Sequence, residues 1–119
     1  AIDTNEERLD EIAPRITHTV CADATDAEAL DALGVRNFDV AVVTIGTDIK
    51  ASTVATMLLK EKGVGVLFIG EDLDVLLELC DRILVLCGGK VSGMMAGKDA
   101  TKRKVGMMMT RLGGAKEDE

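Results

Sequence analysis

Aromatic side chains are almost missing from this chain: Phe38 and Phe68 are the only two in 119 residues, and there is no Trp or Tyr. A core must then be built from Val, Ile, Leu, Ala and Met, which suits α/β layers, where β-branched residues fill strands and Leu and Ala fill helices. Positive charge is short as well, with 14 Lys and Arg against 21 Asp and Glu, a net charge of −7. That balance argues against nucleic acid as a partner, because counterion release from phosphates needs a basic surface. No apolar run reaches the roughly 18 residues of a membrane span, and no basic-then-apolar leader suggests secretion. A cytoplasmic protein with no nucleic-acid or membrane partner is the expectation. Cys21, Cys80 and Cys87 are odd in number and form no C-x-x-C, so neither a disulfide framework nor a metal site is expected, and all three read as buried small hydrophobes. The single histidine, His18, has no Cys or Ser partner at a recognisable spacing and is not read as catalytic.

What is present is a rhythm of strands and helices in a length that suits one domain. Ala1-Ile2-Asp3 reads as the end of a strand entering a helix over residues 5 to 13, which stops before Pro14 because the residue before proline avoids the α region. Residues 17 to 22 read as a short strand, and Asp23-Ala24-Thr25-Asp26 caps a helix that ends at Gly34. The continuous apolar run over residues 40 to 45 has the pattern of a central strand buried on both faces. A helix from Thr47 or Asp48 to Lys62 and a buried strand over residues 64 to 69 follow, then a helix carrying Leu73, Leu76, Leu77 and Cys80 on one face. Residues 82 to 87 and 90 to 94 flank Gly88-Gly89, the strongest hairpin signal in the chain. The last helix, over residues 101 to 112, places Val105, Met108, Met109 and Leu112 on one side, before a polar tail. The fold class is α/β: one domain over residues 1–119, with a three-layer, mostly parallel Rossmann-like sheet of five or six strands and a β-hairpin at its edge.

The first half carries Ala1-Ile2-Asp3-Thr4-Asn5-Glu6-Glu7, Thr17-His18 through Ala22-Asp23-Ala24-Thr25-Asp26, Leu33-Gly34-Val35-Arg36-Asn37-Phe38-Asp39, Thr44-Ile45-Gly46 and Ala51-Ser52-Thr53. On those motifs residues 1–63 resemble the Rossmann-like N-terminal domain of the regulators of potassium conductance, which include the cytosolic subunits of Trk and Ktr potassium uptake systems. The resemblance implies that Asp3, the acid ending a strand, holds adenosine ribose hydroxyls, that the loop at Ala22, Asp23 and Ala24 flanks the adenine, and that Thr44 and Gly46 lie along the far side of the cofactor. It also implies a first strand and a G-x-G-x-x-G turn that would precede Ala1 and are not among these residues. In dinucleotide-binding folds that turn brings the backbone to the pyrophosphate and aims a helix N-terminus at it. Its strand would lie between the strands at Asp3 and Val40. Either residues 66 to 69 shift into that slot or the sheet closes by exchange between two chains.

From residue 64 to 112 the chain carries Val66-Leu67-Phe68-Ile69-Gly70-Glu71-Asp72-Leu73-Asp74, Asp81-Arg82-Ile83-Leu84-Val85-Leu86 and Gly88-Gly89-Lys90-Val91. These residues resemble the C-terminal end of the ATP-binding subunits of ABC sugar and nucleoside importers. There is no G-x-x-x-x-G-K-[ST], no Walker B acid and no signature motif, and the family's switch histidine would fall at Glu71. ATP hydrolysis is therefore not expected, and residues 113–119 read as a flexible tail.

The two resemblances meet without a linker at Lys-Glu-Lys-Gly-Val-Gly-Val, residues 60 to 66. An engineered or recombined chimera of the two, a non-enzyme with no resident cofactor, is the favoured reading. The alternative is a regulatory module of the potassium-uptake type that retains an adenosine half-site for NAD(H), ATP or AMP. A homodimer that exchanges strands is the expected assembly.

Overall fold

The structure, a computed structural model, describes residues 1–45 and 48–110. It divides into two compact units, the first covering residues 1–69 and the second starting at Gly70.

In the first unit, Ile2–Asp3 (β1) runs into Glu6–Ile12 (α1), whose N-cap Asn5 accepts hydrogen bonds from the Glu7 and Arg8 N–H groups at 3.0 and 3.2 Å. Pro14 has no N–H to give to an α-helix, and the chain tightens there into a 3-10 turn, Ala13–Arg15. Val20–Cys21 (β2) then pairs parallel with β1. The strand expected over residues 17 to 22 is thus only two residues long. The pairing takes in Val20 and Cys21, and before them the His18 carbonyl accepts from the Ala1 amino group at 2.7 Å. Cys21, expected to be buried, is exposed, and its thiol donates to the Thr4 carbonyl at 3.5 Å.

Asp26 caps Ala27–Ala32 (α2) by accepting from the Glu28 and Ala29 N–H groups, and Gly34 turns the chain out of the helix at φ 71°, a conformation that costs glycine nothing. Val40–Val43 (β3) leads to Asp48, which accepts from the Ala51 N–H at 2.9 Å and starts Ile49–Glu61 (α3). Gly65–Phe68 (β4) follows and pairs parallel with β3. Leu30 of α2 and Leu59 of α3 cluster with Val35, Val43 and Val64 to form the core of this unit. Helices cover one face of β3 only: Val40 and Val42, expected to be buried, are 61% and 56% exposed. Lys62, with a side chain only 7% exposed, places its ammonium 2.6 Å from Asp31 and ties the end of α3 to α2. That hydrogen bond holds the Asp31 carboxyl below its ordinary range, against a small opposing effect of burial and with help from the charges of Lys62 and Arg36.

In the second unit, Asp72 caps Leu73–Leu79 (α4), and Arg82–Cys87 (β5) and Lys90–Ala96 (β6) form an antiparallel hairpin. Gly88 and Gly89 at its tip have φ of 58° and 77°, so both central turn residues are left-handed, the geometry that matches the twist of the flanking strands. The register shifts between Val85, which faces Gly93, and Leu86, which faces Val91, leaving Ser92 as the extra residue of a bulge. The Ser92 hydroxyl donates to the Met108 carbonyl at 2.7 Å, which fastens Lys102–Thr110 (α5) to the hairpin. A side chain at Gly93 would meet the Met108 sulfur, so α5 sits directly on the hairpin face. Ile83, Val85 and Val105 form the core, with Leu76, Leu77, Met95 and Met108 packed around them. Met109, expected beside Met108 on the inner face, is exposed, because one step along a helix rotates a side chain by about 100°. Leu112 and the expected tail lie outside the described residues.

Among the described residues the strands make three pairs: β1 with β2, β3 with β4, and β5 with β6. Among the described residues no strand bridges β1 and β3. No helix of the described residues is long and apolar enough to cross a membrane.

Candidate functional site

The gap between the first two strand pairs is a cleft of about 820 Å³. Both parallel pairs send their C-terminal ends toward short polar loops, and four of the five residues predicted to meet a nucleotide line this one cleft: Asp3, Asp23, Ala24 and Thr44. The fifth, Gly46, lies outside the described residues.

Asp3 closes β1. Its Oδ1 accepts the Asn5 N–H at 2.8 Å, a local turn that holds the carboxylate at the strand end. Asp23 sits just past β2, where its Oδ1 accepts the Thr25 hydroxyl at 2.6 Å and the Thr25 N–H at 2.8 Å. Those two bonds, the hydroxyl first, hold the Asp23 carboxyl below the usual range, so it is an acceptor at neutral pH. Ala24 packs against the core cluster and offers a small apolar wall, and Thr44 stands exposed directly after β3. The second carboxylate oxygen of Asp3 and of Asp23 has no protein partner among the described residues. Such oxygens accept hydrogen bonds from vicinal hydroxyls such as those of a ribose.

Three further polar residues line the cleft that the sequence did not assign to a site: Asp48, Arg8 and His18. Asp48 and Arg8 read locally as a helix cap and a helical cation, and only the fold brings them to the cleft. With three carboxylates against one guanidinium and one imidazole, the cleft suits a hydroxyl-bearing or cationic group and disfavours a pyrophosphate. Among the described residues the lining supplies no cationic or glycine-rich cradle for phosphates.

In the second unit, the loop at Gly70 and Glu71 leads into a helix of seven residues whose N-terminal N–H groups are partly taken by Asp72, which accepts from Val75 at 3.1 Å. Asp74 pairs with Lys102 at 2.8 Å with both side chains largely exposed, a surface contact of small consequence.

Parallel strand pairs joined by helices, with polar loops gathered at their C-terminal ends, define a Rossmann-like α/β domain. Residues 1–69 match the TrkA-N domain, and the chain belongs to that family. It is 49% identical over 61 residues to the Ktr system potassium uptake protein A of Bacillus subtilis, a match that covers 51% of this chain and 28% of that protein. The Ktr system potassium uptake protein C of the same organism is 45% identical over 64 residues, 54% of this chain and 29% of that protein. A weaker similarity of another kind links the chain to the ribose import ATP-binding protein RbsA 2 of Rhizobium meliloti, 34% identical over 77 residues, 62% of this chain and 15% of that protein. The chain thus spans less than a third of the length of each of these relatives.

Proposed function

We propose that the chain is a recombined α/β scaffold without catalytic turnover, in which the adenosine side of a potassium-uptake regulator domain is joined to the closing segment of an ABC ATP-binding subunit. The observation that carries this reading is the junction itself. The TrkA-N match runs through residue 69, the resemblance to ABC ATP-binding subunits begins at about Gly63, the end of α3 passes into β4 there with no linker, and neither kind of phosphate loop occurs in the 119 residues. In both parent chemistries the phosphates are held by a glycine-rich loop at a helix N-terminus, a group that these 119 residues do not themselves supply. Release of phosphate from ATP and oxidation of NADH by the purified chain test this, and both rates should stay at the uncatalysed level.

A second reading is favoured by the gathering of Asp3, Asp23, Ala24 and Thr44 on one cleft. In it the chain is a regulatory module whose half-site takes the adenosine of NAD(H), ATP or AMP. Calorimetric titration with NADH, ATP and AMP separates the readings: binding tighter than about 100 μM, with a thermal stabilisation that grows with ligand concentration, replaces the inert scaffold by the regulatory module. The strand-exchanged homodimer belongs to the scaffold reading as its assembled form, and a scattering mass of two chains at low concentration would support it.

A further inference from the structure

In the second unit a thioether is part of what holds α5 on the hairpin. Val105 is the one fully buried side chain of α5 among the described residues, and half-buried Met108 packs with it against Ile83 and Val85. The Met108 side chain lies along Gly93: a Cβ built there would stand 2.7 Å from its Sδ, 3.1 Å from Cε and 3.7 Å from Cγ. The sulfur thus fills the space that a side chain at Gly93 would take, with the β6 backbone beneath it. Its surroundings offer no spare donor. Ile83, Val85 and Val105 have none in their side chains, and the Ser92 hydroxyl proton is already given to the Met108 carbonyl at 2.7 Å. The adjacent Met107 and Met109 are 55% and 41% exposed and take no part in this packing.

We propose that Met108 is a redox-sensitive latch: oxidation of its thioether to the sulfoxide by hydrogen peroxide releases α5 from the hairpin, and reduction docks it again. A lone pair of Sδ attacks one peroxide oxygen, an S–O bond forms as the O–O bond breaks, and the other oxygen leaves as water. Sulfur loses the two electrons that the peroxide gains. Partial exposure of Met108 lets so small an oxidant reach the sulfur. The product is larger by one heavy atom, and its oxygen is a strong acceptor where the thioether was apolar. Gly93 leaves no room for that oxygen on the hairpin side, and the packed side chains leave it no donor, so the sulfoxide is accommodated by lifting the helix into water. Val105 lifts with it, which uncovers Ile83 and Val85 on the inner face of the hairpin. Oxidation of Met107 or Met109 leaves α5 in place, because their sulfurs already face solvent. The inference concerns the second unit alone and holds under either reading of the nucleotide half-site.

The full chain is treated with hydrogen peroxide, the oxidised positions are located by peptide mass spectrometry, and α5 is followed by amide exchange. Once Met108 carries oxygen, the amides of α5 should exchange at least about tenfold faster, with β3 and β4 of the first unit unchanged. Methionine sulfoxide reductases with a dithiol remove the oxygen as water and leave a disulfide, and α5 should regain its protection. Met108→Leu keeps an apolar side chain of similar volume and cannot be oxidised, so its α5 should stay protected in peroxide while Met107 and Met109 still react. The double variant Met107→Leu with Met109→Leu should release α5 as the parent chain does. Met108 sulfoxide on a protected α5, release of α5 in oxidised Met108→Leu, or a Met108 that stays reduced when Met107 and Met109 are fully oxidised overturns the proposal. Should Met108→Leu itself fail to fold, the parent chain decides alone: release that the reductases do not reverse overturns the latch.

Discussion

The two units differ in how their strands find partners. In the second, β5 and β6 are joined by a two-residue turn and satisfy each other, and α5 closes over the pair through Ser92 and the space left by Gly93. In the first, β1 and β3 are each paired on one edge only among the described residues, and a cleft lies between them. An antiparallel hairpin is complete within a short stretch of chain, whereas a parallel strand needs a crossover and depends on neighbours far away in sequence. The hairpin is therefore complete within its own stretch of sequence, and the parallel strands are not.

That contrast can be broken most forcefully in the first unit's core. Leu30 is almost fully buried, and Leu30→Ala should cost about 2–5 kcal/mol, read as loss of exchange protection in β3 and β4 on a urea series. A matching strike on the second unit is Gly97→Ala. A Cβ there would collide with the Cys80 carbonyl oxygen, while the Gly97 N–H is held by the Asp81 carbonyl at 2.8 Å, so the backbone cannot retreat freely. The variant should lose about 1–3 kcal/mol, visible at the amides of β5 and β6. Thr56 sharpens the picture in the other direction. Its hydroxyl is buried in α3 with no hydrogen-bond partner among the described residues, so Thr56→Val should raise stability by about 1 kcal/mol in thermal or denaturant melts.

The smallest effect is expected at Asp31. Its folded carboxyl lies below the ordinary value of 3.8, so the stability it contributes is present above that pH and is lost as pH falls through the lower folded value. Stability curves of the parent chain and of Asp31→Asn should run apart above about pH 4 and converge in stronger acid. Curves that stay equally separated down to strong acid would remove the Lys62 contact as the cause. Because Asp31 is itself exposed, the separation should be small.

Local chemistry made much of the fold legible. Asp26, Asp48 and Asp72 cap the helices they precede, and Gly34, Gly63, Gly88 and Gly89 all adopt the left-handed conformation at the ends where helices and hairpin turn. Strand lengths and faces were less legible, because they depend on a neighbour. Residues 17 to 19 have strand propensity, yet only the His18 carbonyl finds a partner there, the Ala1 amino group, and Val40 and Val42 have the apolar character of a buried strand but are exposed. The site was legible only through family resemblance. Nothing in the spacing of Asp3, Asp23 and Thr44 says that parallel pairing will gather them, and Arg8 and Asp48 carried no signal beyond their helix positions.

The contrast between an open and a closed unit is tested most directly by amide exchange along β3 in the chain alone at low concentration. Ala41 and Val43 should exchange slowly, Val40 and Val42 at close to the rate of an open strand edge, and the cross-strand amides of β5 and β6 slowly throughout. Uniform protection along β3 would contradict the account, because it would mean that the edge facing β1 is already filled.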